Sequence, residues 1–160
     1  MRYWIALGSN LGDRLNNLKK AAQAFVQWGK VEKKSPVYRT TPWGREDQPD
    51  FFNAVLELNC DLNPFRLLRK LKSLELQLGR VKGERWGARK IDLDILEWEG
   101  ETIRSNILQI PHPYLERRLF VLQPLADMDE NFRLRSGFNV RQVIAKLNEE
   151  PNCQLVIEKW

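Results

Sequence analysis

The 160-residue chain has only two cysteines, Cys60 and Cys153, with no metal-type spacing between them. That excludes a structural zinc site and fits reduced, packed thiols in a cytoplasmic protein. No apolar run approaches the roughly 18 residues that would span a bilayer. The short run Tyr3 to Leu7 is not a signal peptide. Neither G-x-x-x-x-G-K-[ST] nor G-x-G-x-x-G occurs, so the common phosphate-binding loops are absent. Repeats, low-complexity stretches and a dividing linker are also missing, which leaves one domain over residues 1–160.

A 42% hydrophobic fraction and six tryptophans supply a core and argue against disorder. The net charge of +5 is unevenly spread. Between residues 80 and 90, Arg80, Lys82, Arg85, Arg89 and Lys90 face Glu84 alone. Nucleic-acid proteins spread basic charge over a broad face, whereas charge gathered in one loop suits a small polyanion.

Periodicity orders the elements. Tyr3 to Leu7 reads as a buried strand, followed by a glycine turn at Gly8–Gly12. Asp13 then caps a helix with the stripe Leu15, Leu18, Ala22 and Phe25, closed by Gly29. A second strand is expected within 30–41. A third has Phe52, Ala54, Leu56, Leu58 and Cys60 on its core face, and Phe51 and Asn53 on the other. Asn63, with Pro64 in first position, caps a helix carrying Leu67, Leu71, Leu74 and Leu78, and Gly79 follows its end. A strand over Ile91 to Ile95 completes βαββαβ, the ferredoxin-like α+β plan. Beyond it lie Pro111-His112-Pro113, the apolar run Leu119 to Leu125, a helix capped by Asn139 and a short strand over Gln154 to Ile157. Together they form a C-terminal helical and strand extension.

Strict alternation over Ile91, Asp92, Leu93, Asp94 and Ile95 aligns the two aspartates on one face, roughly 7 Å apart. Paired hard oxygens suit Mg²⁺ completed by substrate phosphates. An acidic solvent-facing strand gives the same spacing. Arg85 and Arg89 flank Gly87, with Trp86 between them, in a loop able to fold over a ligand; a solvated surface loop reads the same way. The Gly8–Gly12 turn either turns its amides to an anion or simply needs glycine dihedrals. Phe51 and Asn53 fit stacking on and hydrogen bonding to a flat heterocycle, and equally fit ordinary packing. His112, the only histidine, has its backbone restricted by both prolines. Arg118 and Phe120 follow it closely.

Taken together, "ALGSNLGDR", "YRTTPWGREDQPDFFNAV", "LELQLGRVKGERWGARKIDLDIL" and "PHPYLERRLFVLQPL" resemble the 6-hydroxymethyl-7,8-dihydropterin pyrophosphokinases of folate biosynthesis, in order and approximate spacing. The resemblance implies an ATP- and Mg²⁺-dependent diphosphotransferase. It would move pyrophosphate from ATP to the pterin hydroxymethyl group and release AMP. Asp92 and Asp94 would hold two Mg²⁺ ions, with Asp94 also the candidate proton acceptor. Arg85 and Arg89 would neutralise the triphosphate during attack. Glu75, Lys82, Trp86, His112 and Arg118 would add nucleotide contacts. Phe51 and Phe120 would sandwich the pterin, Asn53 would read its polar edge, and Thr40, Pro42, Trp43, Gly44 and Trp86 would line its pocket. The loops after residues 41 and 80 would close as lids. The implied partners are the two small-molecule substrates, without nucleic acid or membrane, on a monomer. Tyr114 stands where many relatives carry arginine, and Ala88 where proline is common.

Two rivals share parts of this pattern. RNA-recognition modules also use βαββαβ, but their K/R-G-F/Y-G/A-F-V-x-F/Y run is absent here. A D-x-D nuclease or glycosyltransferase leaves Phe51 and Asn53 without a role.

Overall fold

A computed structural model describes residues 1–42, 47–81, 87–147 and 153–160. Strand β1 (Arg2–Ser9) leads into α1 (Arg14–Phe25), whose Asp13 cap accepts the Asn16 amide at 3.0 Å. Gly29 does not close this helix. It opens β2 (Gly29–Lys34), where a Cβ would lie 2.1 Å from the Asn59 carbonyl oxygen, so glycine here permits close strand approach.

The strand expected within 30–41 is two strands, β2 and β3 (Val37–Thr40), broken at Ser35-Pro36. Pro36 has no N–H for a ladder, and the Ser35 hydroxyl accepts the Val55 amide at 2.9 Å. Next come β4 (Phe51–Cys60), α2 (Pro64–Gln77) and β5 (Asp92–Trp98). The Asn63 side chain accepts the Arg66 amide at 3.0 Å, with Pro64 inside the first turn, as the sequence predicts.

The sheet runs β5–β1–β4–β3–β8 with every recorded pairing antiparallel, and β2 also pairs with β4. Counting β2 and β3 as one broken strand, this is the ferredoxin-like order with one strand added. That addition, β8 (Cys153–Ile157), belongs to the C-terminal extension. The rest of the extension is the small hairpin β6 (Ile103–Arg104) and β7 (Gln109–Ile110), then α3 (Leu119–Met128) and α4 (Val140–Ile144). Asn139 forms a reciprocal capping box with Gln142 at the start of α4. No helix among the described residues is long and apolar enough to cross a membrane.

Both sheet faces are packed, unequally. Tyr3, Ile5, Leu7, Leu56, Leu58, Leu93 and Ile95 meet the leucine stripes of α1 and α2 in the larger core. On the other face Val55 and Leu96 meet Val121, Leu122 and Leu125 of α3 and Val140 of α4. The alternation expected over Ile91 to Ile95 holds, and beyond it a bulge opposite Trp4 and Ile5 lets Leu96 and Trp98 pack into opposite cores although they are two residues apart. The second face, expected to be open, is covered by α3 and α4 except at the end carrying Asp92 and Asp94.

Candidate active site

At that uncovered end lies a cavity of about 410 Å³, within the usual range for small-molecule sites. Its floor is the end of β1 and the starts of the two strands beside it, since Gly8 of β1 pairs with Asn53 of β4 on one side and Asp92 of β5 on the other. A Cβ at Gly8 would lie 3.0 Å from Asn53 Oδ1, a tight contact that would push on the buried Asn53 amide. Phe51 and Phe120 supply apolar wall. Asn53 is nearly fully buried, and its Nδ2 donates to Thr40 Oγ1 at 2.7 Å, which fixes the amide's orientation.

The charged part sits between β5 and α2. Arg80 Nη1 lies 2.6 Å from Asp92 Oδ1 and 2.6 Å from Glu75 Oε2, and Arg89 Nη1 lies 3.0 Å from Asp92 Oδ2. Lys72 Nζ donates to Glu75 Oε1 at 2.8 Å, the Leu93 carbonyl at 2.8 Å and Asp94 Oδ1 at 3.2 Å. Burial alone would raise the Asp94 carboxyl, but Lys72, His112 and Arg118 hold it below the ordinary carboxylate range. Burial lowers the Lys72 ammonium, and Asp94 and Glu75 outweigh that to raise it. His112 is pushed below its ordinary value by burial, against the pull of Asp94. Its Nδ1 accepts the Tyr114 amide at 3.2 Å, so the neutral ring presents Nε2–H. The Arg118 guanidinium sits 4.8 Å from the Tyr114 ring centre and 5.5 Å from that of Phe120.

The glycine turn after β1 works as a strut. Asn10, only 2% exposed, accepts the Arg89 amide at 2.7 Å and returns its own amide to the Arg89 carbonyl at 3.1 Å. Its Nδ2 donates to Gln48 Oε1 and the Pro49 carbonyl, both at 3.0 Å. The Asn10 amide is therefore committed to protein and does not point at an anion.

Of the residues singled out in the sequence, Thr40, Phe51, Asn53, Arg89, Asp92, Asp94, His112, Arg118 and Phe120 line this one cavity. Pro42 is half-buried and outside the lining. Glu75, expected at the nucleotide, lies beneath the cavity at 3% exposure, holding Lys72, Arg80 and the Leu93 amide. Trp43, Gly44, Lys82, Arg85 and Trp86 fall outside the described residues, as do the other residues of 43–46 and 82–86 in the two expected lids. Lys72, Arg80, Gln48 and Tyr114 line the cavity without having been assigned a role from sequence. One signal for Lys72 and Arg80 was present: Glu75 falls in the apolar stripe of α2, and a buried carboxylate requires cationic partners.

The aspartates fit Mg²⁺ by donor chemistry. Both are hard oxygen ligands facing the cavity, with side chains 27% and 34% exposed. Among the described residues no group of three or more His, Cys, Asp or Glu could hold a metal. A Mg²⁺ ion held by this pair would take its other ligands from water and substrate oxygens.

Residues 4–130 match the family model described as 7,8-dihydro-6-hydroxymethylpterin-pyrophosphokinase. The chain is 41% identical over 128 residues to a 2-amino-4-hydroxy-6-hydroxymethyldihydropteridine pyrophosphokinase of Aquifex aeolicus, covering 80% of each. To the protein of that name in Bacillus subtilis it is 46% identical over 127 residues, covering 78% of this chain and 76% of the relative. To that of Methylorubrum extorquens it is 40% identical over 149 residues, covering 92% and 94%. Among solved structures, Plasmodium falciparum HPPK-DHPS with pteroate superposes with a TM-score of 0.72 at 18% identity over 91% of this chain. The chain spans 42% of that structure's length, and the likeness concerns fold alone.

Proposed function

The chain belongs to the 7,8-dihydro-6-hydroxymethylpterin-pyrophosphokinase family, and we propose that ATP is the donor of the pyrophosphoryl group it transfers, with AMP released. The acceptor is the hydroxymethyl group of 6-hydroxymethyl-7,8-dihydropterin, in folate biosynthesis. One observation carries the residue-level reading: a single cavity has an aromatic and amide wall at one side and a balanced carboxylate–cation cluster at the other.

The pterin stacks between Phe51 and Phe120. Asn53, its amide already oriented by Thr40, pairs with the heterocycle's polar edge at little entropic cost. The triphosphate lies along Arg80, Arg89 and Arg118, whose guanidinium groups suit phosphate oxygens, while His112 adds a neutral Nε2–H donor. By resemblance to the family, Lys82, Arg85 and Trp86 are assigned to ATP and Trp43 and Gly44 to the pterin. Asp92 and Asp94 would hold two Mg²⁺ ions, which would supply neutralisation of the phosphate oxygens.

Phosphoryl-group transfer of this kind needs alignment and charge neutralisation more than covalent help from protein. The strut at Asn10 supports that alignment, because it ties the Arg89 backbone to the loop that precedes Phe51. The Asp94 carboxylate is engaged by Lys72 and held below the ordinary carboxylate range, so it is a weak proton acceptor. The free thiols of Cys60 and Cys153 suit the cytoplasm.

The product settles the reaction type. With Mg²⁺, ATP and the hydroxymethyl pterin, chromatography should find AMP; ADP as the sole nucleotide product would overturn the pyrophosphoryl reading.

A further inference from the structure

Glu75, Asp92 and Asp94 stand against Lys72, Arg80 and Arg89, three carboxylates to three cations in mutual contact. Such a cluster has no spare negative charge for a naked divalent ion. Within it the cations differ in which carboxylate they meet. Arg80 and Arg89 both contact Asp92, Arg80 also holding Glu75 Oε2 at 2.6 Å, whereas of the three it is Lys72 that contacts Asp94. Lys72 is moored from behind. Its ammonium has three N–H donors, and two of them are spent on fixed acceptors. These are the Leu93 carbonyl, part of β5, and Glu75 Oε1, itself buried and held by the Leu93 amide at 2.7 Å. Only the third and longest contact, 3.2 Å to Asp94 Oδ1, faces the cavity.

A cation arriving at Asp94 therefore meets a compact positive charge that stays in place. Electrostatic repulsion penalises metal alone. A polyphosphate arriving with the metal brings the missing negative charge to both.

We propose that Lys72 is a fixed counter-cation at Asp94 that makes divalent-metal binding conditional on a polyphosphate. It rests on the reading of Asp94 as a metal ligand. Lys72 is thus a positioning residue whose effect is a coupling between two ligands, and the coupling is reciprocal. Metal raises triphosphate affinity by the same factor as triphosphate raises metal affinity.

The test uses Mn²⁺ on the metal-free full-length protein. Free ion is measured by electron paramagnetic resonance with and without α,β-methylene-ATP, whose α–β linkage resists transfer. Lys72→Gln, which removes the charge and keeps a donor, should tighten nucleotide-free Mn²⁺ binding by about fivefold or more, the lower end of ordinary coupling. It should also shrink the enhancement given by the analogue by the same factor. Lys72→Met must tighten it as well, and Lys72→Arg must leave both affinities as in the parent. Unchanged or weaker nucleotide-free Mn²⁺ binding in folded Lys72→Gln and Lys72→Met overturns the proposal and leaves Lys72 a simple phosphate contact. Asp94→Asn tests the underlying reading separately. If that variant binds Mn²⁺ with the analogue as tightly as the parent does, Asp94 is not a ligand, whatever Lys72 does.

Discussion

Along β4, Asn53 and Val55 are two residues apart on the same sheet face, yet Val55 is sealed under α3 while Asn53 forms cavity wall. Strand β4 is continuous through the pair, so backbone geometry is not what separates a dry half from a wet one. Cover separates them. Helix α3 begins at Leu119, and the cavity opens at its first turn, beside Phe120 and Val121. Where the helix covers the sheet, apolar burial drives association. Where it does not, charge collects on a rigid support whose opposite face, with Leu93 and Ile95, is already locked into the larger core.

Exchanging the character of the halves breaks the comparison most severely. Asp94→Leu extends the dry surface into the wet half. Turnover, followed as AMP formation, should fall by about 10³-fold, as when a preorganised charge stabiliser is lost. Urea unfolding should show stability little changed, because Lys72 keeps Glu75 and the Leu93 carbonyl. Turnover near the parent's would show that the wet half is not chemical. In the dry half, Leu125→Ala, at a position fully buried in the second core and away from the cavity lining, should cost about 2–5 kcal/mol of stability through the space it leaves. The rate per folded molecule should stay close to that of the parent, and a large rate loss with stability intact would reverse the division.

Much of this was legible in the sequence, for definable reasons. Alternation and capping gave both long helices, the Asp92/Asp94 strand and the face shared by Phe51 and Asn53, because these depend on near neighbours. Periodicity reports that a face is buried without saying what buries it. It therefore missed the second core, in which Val55 and Leu96 meet α3 from far along the chain. The break at Ser35-Pro36 escaped because a hydroxyl there replaces a ladder partner. Lys72 reaches Asp94 across 22 residues of sequence, and spacing carries no trace of that contact.

Glu75 gives a finer test of how the wet half is supported from below. Glu75→Gln keeps the shape and removes the charge that anchors Lys72 and Arg80. Residues that orient functional groups from behind typically account for about 10–100-fold, and a loss in that range is expected for AMP formation with circular dichroism unchanged. An unchanged rate would mean that the two cations hold their positions without it.

The smallest effect lies on the border between the halves, at His112, whose backbone amide donates to the Leu96 carbonyl at 2.8 Å while its ring faces the cavity. Burial holds the imidazole below its ordinary 6.5, with Arg118 acting in the same sense and Asp94 opposing. On acidification the unfolded chain therefore takes up this proton before the folded one does. The neutral ring's contribution to stability is complete above about pH 6.5 and is lost as pH falls toward the folded value, below which it changes no further. Urea unfolding of metal-free, nucleotide-free protein between about pH 7.5 and 5.5 should show His112→Gln losing less stability than the parent. Asp94→Asn removes the carboxylate that favours the charged ring, so it should enlarge the loss assigned to His112, measured as the difference between Asp94→Asn and the double variant. A smaller loss in that background would mean that burial is not what depresses this histidine, and the border would belong to the wet half.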